Sequence, residues 1–416
     1  MNILEELKWR GAFNQVTDEA GLSQLLESKK VSLYVGIDPT GASMHIGHLI
    51  PFTTMKRFQN QGHKPIIVVG GATGSIGDPS GKKDERKLLD QKQIDENVQK
   101  ISTQLELLFG KDGFEIVNNN DWLGKISMID FLREYGKLFP INVMIKRDVV
   151  ASRLEAGISF TEFTYQILQA VDFLNLYREH DVQLQLGGSD QFGNIAGGVE
   201  LVHKIEGNEA QIFGLTVPLL LKSDGTKFGK SEGGTVWLDA ELTTPYQFYQ
   251  FWLNQTDEDT IKLLKYFTFL DDTQINQLEE KIKNEPEKRE AQRALAEQVT
   301  EFVHGKQAVI DAQILSEKLF SGDVANLSAD EIADAFAGVP SASVLKNKKN
   351  VVDFLVDAEF ESSKRQARED VTNGAISING EKINDPDYLI DPANHYDGRY
   401  VLVRRGKKKY FLGIVE

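Results

Sequence analysis

The chain has 416 residues, too many for one compact core of ordinary size, so about two to four domains are expected. With 41% hydrophobic and 26% charged residues, and no apolar run near the roughly 20 residues that cross a bilayer, it reads as globular and not membrane-spanning. Cysteine is absent, which excludes disulfides and thiolate metal sites, and the N-terminus lacks the apolar core of a secretory signal. Together these features fit the cytoplasm. The net charge of −15 argues against indiscriminate binding to nucleic acid. Its distribution is uneven. Residues 341–416 hold 13 Lys+Arg against 12 Asp+Glu, whereas the other 340 residues hold 34 against 50. The basic residues of the tail gather at Arg404-Arg405-Gly406-Lys407-Lys408-Lys409, which reads as a turn between two strands.

Along the chain, Val31–Asp38 alternates as a strand, and Ile46–Gln61 follows as a helix with Leu49, Phe52 and Met55 on one face. Pro65–Gly70 is a continuous apolar run, typical of a strand buried on both faces of a parallel sheet. Val182–Leu186 and Val217–Leu221 are further strand candidates. Strands alternating with helices imply a doubly wound, Rossmann-like α/β domain over 1–235, with a helical insertion. Residues 236–325 read as an α-helical domain, 326–348 as a linker, and 349–416 as a small α+β domain. In that last part, Ser363–Gln366 is a capping-box pattern and Ser377–Lys382 a hairpin around Asn-Gly.

Ligands of doubly wound sheets bind beyond the carboxyl ends of the strands, and the notable residues fall there. His45-Ile46-Gly47-His48 follows the first strand. Two imidazoles at a helix N-terminus suit phosphate, aided by the helix dipole, and Gly47 leaves room for a close approach. A metal site is the competing reading, and it lacks the further ligands that zinc wants nearby. Lys227-Phe228-Gly229-Lys230-Ser231 lies in a Gly/Ser-rich stretch and reads as a cationic loop able to close over a polyphosphate.

This ordered pair, HIGH and KFGKS, resembles the signatures of class I aminoacyl-tRNA synthetases. Tyr34–Gly41, Gly70–Lys82, Thr164–Asp172 and Gly187–Asn194 narrow the resemblance to the bacterial tyrosyl-tRNA synthetase family, over nearly the whole chain. The C-terminal segment is similar to S4-type RNA-binding domains. Two departures are visible: the second signature is KFGKS, not KMSKS, and residue 51 is Pro.

The resemblance implies activation of L-tyrosine by ATP to tyrosyl-adenylate and pyrophosphate, then transfer to the 3′ end of tRNA(Tyr). It implies that Tyr34 and Asp172 bind the substrate hydroxyl, that Asp78, Tyr165 and Gln169 bind its ammonium, and that Gln191 lies near its carboxylate. Asp38, Gly188 and Asp190 would meet the ribose and adenosine, with Gly47, His48, Phe228, Gly229 and Ser231 also at the nucleotide. Thr40, His45 and His48 would donate to the phosphates, and Lys82, Arg86, Lys227 and Lys230 would balance pyrophosphate charge. The substrate carboxylate is already ionised at neutral pH, so no general base is needed. ATP is expected with Mg²⁺ but without a dedicated protein cage for the metal, and no tightly bound cofactor is expected. Lys146, Arg147, Arg153, Arg365, Arg368, Lys407, Lys408 and Lys409 are candidate tRNA contacts. The resemblance further implies a homodimer, with Phe131–Met144 as a candidate interface. The rival readings are a tryptophanyl-tRNA synthetase, which would not want the Tyr34/Asp172 pair, and an inactive synthetase-derived RNA-binding protein.

Overall fold

The computed structural model describes residues 2–80, 90–151, 153–155, 157–220, 228–231, 234–406 and 409–416, with the side chains of Asp148, Val149, Lys230 and Ser231 left undescribed. The packing divides into two units. One comprises 1–243 and 251–303, the other 244–250 and 304–416.

In the first unit, five parallel strands form one sheet: β1 (Ser32–Ile37), β2 (Lys64–Val69), β3 (Glu115–Asn118), β4 (Val182–Gly188) and β5 (Phe213–Val217), in the order β3-β2-β1-β4-β5. β2 is buried from Pro65 to Val69, as its unbroken apolar run requires. The chain winds outward from β1 through β2 to β3, then returns to the other side of β1 for β4 and β5. The crevice where the winding reverses therefore opens at the carboxyl ends of β1 and β4. The edge strand β3 is half-exposed and was not expected from the sequence. The last strand ends at Val217, not at Leu221 as expected, because Pro218 has no N–H to continue the ladder. Its outer edge is covered by residues 14–17, where Asn14 and Thr17 N–H donate to Thr216 and Gly214 carbonyls.

The helix Phe160–His180 packs on this sheet, and Ala170, Val171, Phe173 and Leu174 join Ile66, Val68 and Val182 in one core. Helices Asp257–Phe267, Asp272–Asn284 and Glu290–His304 follow, all but the last residue of which belongs to this unit by packing.

The second unit contains a five-stranded sheet in which Ser341–Val344 pairs in parallel with Lys409–Val415. That strand lies inside the stretch read as a linker, so packing starts this sheet before residue 349. The hairpin Ile376–Ile378/Glu381–Ile383 turns on Asn379 and Gly380, both at positive φ (51° and 91°), as an Asn-Gly turn demands. Ser363 caps the helix Lys364–Thr372 by accepting from Gln366 N–H. The Gln366 side chain donates to Asp370 at 3.0 Å, so the cap is carried by the Ser363 arm.

Candidate active site

A cavity of about 250 Å³ opens at the carboxyl ends of β1 and β4. Tyr34, Asp38, Thr40, His48, Asp78, Tyr165, Gln169, Asp172, Gly188, Asp190 and Gln191, all singled out in the sequence, line it together with Pro51, although they come from widely separated parts of the sequence; His45 and Gly47 are not among its lining residues.

At the deep end, Asp172 is held by two donors. Asn119 Nδ2 donates to Oδ2 at 3.1 Å and Trp122 Nε1 to Oδ1 at 2.7 Å. Burial pushes the Asp172 carboxyl up to about 7 against these donors, with the charge of Asp38 adding to the rise. The Tyr34 ring packs edge-on to Phe173 at 5.2 Å, and its hydroxyl is buried without a protein partner. Burial and then Asp172 push that phenol well above its ordinary range, so it remains a donor at neutral pH. A buried, unpartnered hydroxyl beside a buried carboxylate, both lining a cavity, is costly unless a ligand completes it.

The middle of the cavity is a second network. Asp38 accepts from Thr73 Oγ1 at 2.7 Å and from the Tyr165 hydroxyl at 2.8 Å. Gly70 makes this possible, since a Cβ there would lie 2.1 Å from Asp38 Oδ1. Asn119 also donates to Thr73, which joins the two networks. Gln191 Nε2 donates to Asp78 Oδ2 at 2.7 Å, and Asn194 donates to Gln169 at 3.2 Å. Because Tyr165 spends its proton on Asp38, its oxygen, the Asp78 carboxylate and the Gln169 carbonyl together present acceptors suited to a cation.

At the mouth stands the HIGH motif. His45 is the N-cap of Ile46–Asn60 and not part of its face. Its Nδ1 accepts from Gly47 N–H at 3.0 Å, while His48 Nδ1 accepts from His45 N–H at 3.1 Å. Both rings are thereby set as tautomers whose proton sits on Nε2, and they stack 4.0 Å apart. A Cβ at Gly47 would lie 2.8 Å from His45 Cε1, so the glycine makes room for the capping ring itself. The preceding loop is anchored by the helix Gln91–Phe109: Asn97 donates to Pro39 O at 2.8 Å, and Gln104 accepts from Met44 N–H at 3.0 Å.

The second signature meets this motif through backbone. Val236 N–H donates to Gly229 O and Ile46 N–H to Val236 O, each at 3.1 Å. Phe228 packs among Phe251, Trp252 and Phe267. Lys82, Arg86 and Lys227 lie outside the described residues, as do the side chains of Lys230 and Ser231.

The expected tRNA contacts divide. Arg153 is 4% exposed and forms a two-pronged pair with Glu162, so its guanidinium is turned inward and not offered to a polyanion. Arg147 is half-buried, donating to Gln166 and pairing with Glu200. Lys146, Arg365, Arg368 and Lys409 are exposed, and Lys407 and Lys408 lie outside the described residues. Arg405 pairs with buried Glu361 and Asp370, so part of the tail cluster is structural.

Sequence reasoning missed Thr73, Asn97, Gln104, Asn119 and Trp122. Asn97 and Gln104 did leave a signal. They occupy the buried stripe Ile94, Ile101, Leu105 and Leu108, where a polar residue needs a partner.

A parallel sheet with its cavity at the reversal point, a capped HIGH helix and a KFGKS turn beside it define a nucleotide-using synthetase core. Residues 26–321 match the model of tRNA synthetases class I (W and Y), and the chain belongs to that family. Residues 331–413 match the tyrosine–tRNA ligase SYY-like C-terminal domain, which places the chain in the tyrosine branch. Tyrosine–tRNA ligases of Oenococcus oeni and Leuconostoc mesenteroides are each 64% identical, over the full length of both chains. A C-terminally truncated mitochondrial tyrosyl-tRNA synthetase of Aspergillus nidulans is 32% identical with a TM-score of 0.68, covering 76% of this chain and 94% of that one. A tryptophanyl-tRNA synthetase from Encephalitozoon cuniculi shares the fold at 17% identity and a TM-score of 0.55, covering 74% of this chain and 87% of that one.

Proposed function

We propose that the cavity takes L-tyrosine with its hydroxyl between Tyr34 and Asp172, and that the chain joins it to tRNA(Tyr) at the expense of ATP. The observation that carries the choice of amino acid is the Tyr34 hydroxyl, buried without a partner beside Asp172. A substrate phenol donates to the carboxylate and accepts from Tyr34, whereas an indole can only donate and a plain phenyl ring can do neither, so both leave the Tyr34 hydroxyl unpaired. The ammonium lies among Asp78, Tyr165 and Gln169, which brings the carboxylate toward the capped HIGH helix. There the carboxylate attacks the α-phosphate in line. Its carbon–oxygen group gains the bond to phosphorus as the bond to pyrophosphate breaks. Positioning and donors aimed at the phosphates carry the acceleration, with Thr40, His45 and His48 as donors and Lys82, Arg86, Lys227 and Lys230 as counter-charges. A terminal ribose hydroxyl of the tRNA then displaces AMP.

Among the described residues no group of three His, Cys, Asp or Glu side chains stands ready to hold a metal. We take Mg²⁺ to arrive with ATP as its substrate complex, and no step is assigned to it. Exposed Arg365, Arg368 and Lys409 are proposed for tRNA, with Lys146 at the acceptor stem. Leu132 and Ile141 are exposed within Phe131–Met144, the segment proposed for a homodimer interface, and Met128 and Ile129 are exposed just before it. Sedimentation of a monomer at micromolar concentration would refute that pairing. No helix among the described residues is long and apolar enough to cross a membrane.

Tyrosine-dependent ATP–pyrophosphate exchange tests the whole reading, and exchange with tryptophan alone, or none, would sink it. Tyr34→Phe is expected to narrow the preference for tyrosine over phenylalanine by about tenfold, the worth of one net hydrogen bond. The same variant should resist urea better without substrate, since it removes an unpaired buried hydroxyl. Asp172 predicts a pH dependence. The ionised carboxylate accepts from the substrate, so tyrosine affinity should rise about tenfold per pH unit until it levels near the carboxyl's value of about 7. In the empty protein the sign is opposite. A carboxyl raised by folding stabilises the fold at low pH, and that contribution is lost as pH rises through about 7. Titration calorimetry from pH 5 to 8 reads the first effect, and a flat profile would refute it.

A further inference from the structure

The two signature motifs are joined a second time, away from the cavity. The helix that His45 caps runs on to Arg57, which is 3% exposed. Arg57 Nη2 donates to the carbonyls of Lys265, Tyr266 and Thr268 at 3.2, 3.1 and 2.6 Å, where the helix Asp257–Phe267 ends. Arg10 donates to the same end, and Glu6 Oε1 lies between the two guanidiniums, 2.8 Å from Arg10 Nε and 3.5 Å from Arg57 Nη1. Freed carbonyls at a helix end attract cations, so this clamp is electrostatically sound. Within that same turn sits Phe267, fully buried, with its ring stacked on Phe228 of the second signature at 5.8 Å and 25°.

A closed loop of contacts results. Gly229, next to Phe228, reaches the start of the HIGH helix through Val236. Phe228 reaches the end of the same helix through Phe267 and Arg57.

We infer that Arg57 and Phe267 are positioning residues that set the second signature in register with the first by holding Phe228. The inference rests on the synthetase reading. Neither residue lines the cavity, and their side chains are engaged elsewhere, Arg57 at the end of the helix Asp257–Phe267 and Phe267 on the Phe228 ring. Their effect on chemistry passes through Phe228 to the cationic residues on either side of it. A displacement of about an ångström there is enough to slow a positioned reaction by up to about a hundredfold.

The test uses the full-length protein with Arg57→Lys, Phe267→Ala and Phe267→Met. In ATP–pyrophosphate exchange, Arg57→Lys and Phe267→Ala should lower kcat about 10- to 100-fold and raise the KM for ATP. Tyrosine binding, measured by equilibrium titration without ATP, should stay within about twofold, because that end of the cavity is untouched. Phe267→Met should recover most of the rate, since its sulfur can still pack on the Phe228 ring. The double variant Arg57→Lys/Phe267→Ala should lose little more than the worse single one, as members of one chain of contacts do. Unchanged kcat, or tyrosine binding lost in step with the rate, would overturn the inference. Amide hydrogen exchange supplies a readout independent of activity. The Ile46 and Val236 amides should exchange faster in both disrupted variants, and unaltered rates there would also overturn it. Absence of tyrosine-dependent exchange in the unsubstituted protein would instead count against the synthetase reading, with the amide result still deciding the link.

Discussion

Replacing His45 by alanine is expected to lower kcat for tyrosine activation by about 10²- to 10³-fold, the usual cost of removing one preorganised donor from developing phosphate charge. The KM for tyrosine should hardly move, because the proposed amino acid contacts are other residues, at Tyr34, Asp172 and Asp78. The geometry explains why so much hangs on one ring. Gly47 N–H donates to Nδ1, so the proton is set on Nε2 and the ring is held before ATP arrives. That hydrogen bond is also the N-cap of the helix, and its loss alone destabilises the fold by about 1 kcal/mol. The two effects separate in His45→Asn. Its side-chain oxygen can accept from the same backbone, so urea stability should return toward that of the unsubstituted protein while kcat stays low. If the rate returned with the stability, His45 would be a cap and not a donor. Gly47→Ala should resemble His45→Ala in rate, since its methyl would collide with the ring that must sit there.

The contrast between the two ends of this site explains what the sequence reveals. β1, β2 and β4 are the interior strands of the sheet, and their apolar residues mark them in the sequence, as an unbroken run in β2 and in alternation in β1 and β4. β3 is an edge strand of four residues with Glu115 at its start, so no apolar run marks it. At β5 two apolar stretches overlap, and only the missing N–H of Pro218 decides which one pairs. HIGH and KFGKS are legible because phosphate chemistry needs several unusual residues close together in the chain. The proposed amino acid pocket is built differently. Tyr34, Thr73, the pair Asn119 and Trp122, and Asp172 come from four separate segments and converge only through the fold. Resemblance supplied Tyr34 and Asp172, while the neutral side chains that orient Asp172 carry no local pattern. A charged residue misleads for the same reason. Arg153 looks like a phosphate contact in the sequence, yet folding turns it inward.

Arg153→Ala should therefore act on stability before it acts on tRNA. Arg153 and Glu162 side chains are 5% and 2% exposed, 2.9 Å apart, and Arg153 also donates to Gly157 O. Removing one member of such a pair leaves a buried charge uncompensated, which costs about 3–5 kcal/mol. Urea unfolding would register this as a lower midpoint with an unchanged slope. Glu162 sits in the first turn of Phe160–His180, the helix that carries Tyr165, Gln169 and Asp172. Loosening that turn should weaken tyrosine binding as well, which a lost tRNA contact would not do. The double variant Arg153→Met/Glu162→Leu makes the argument sharper. It replaces both charges with apolar groups of similar length, and such exchanges are often neutral or stabilising. Most of the stability should return with it. Because Glu162 also stands at a helix N-terminus, where a carboxylate is favoured by a few tenths to about 1 kcal/mol, the recovery should fall short by about that amount. A double variant as unstable as Arg153→Ala would mean that the pair itself, and not the avoidance of a lone buried charge, fastens this helix to the segment before it.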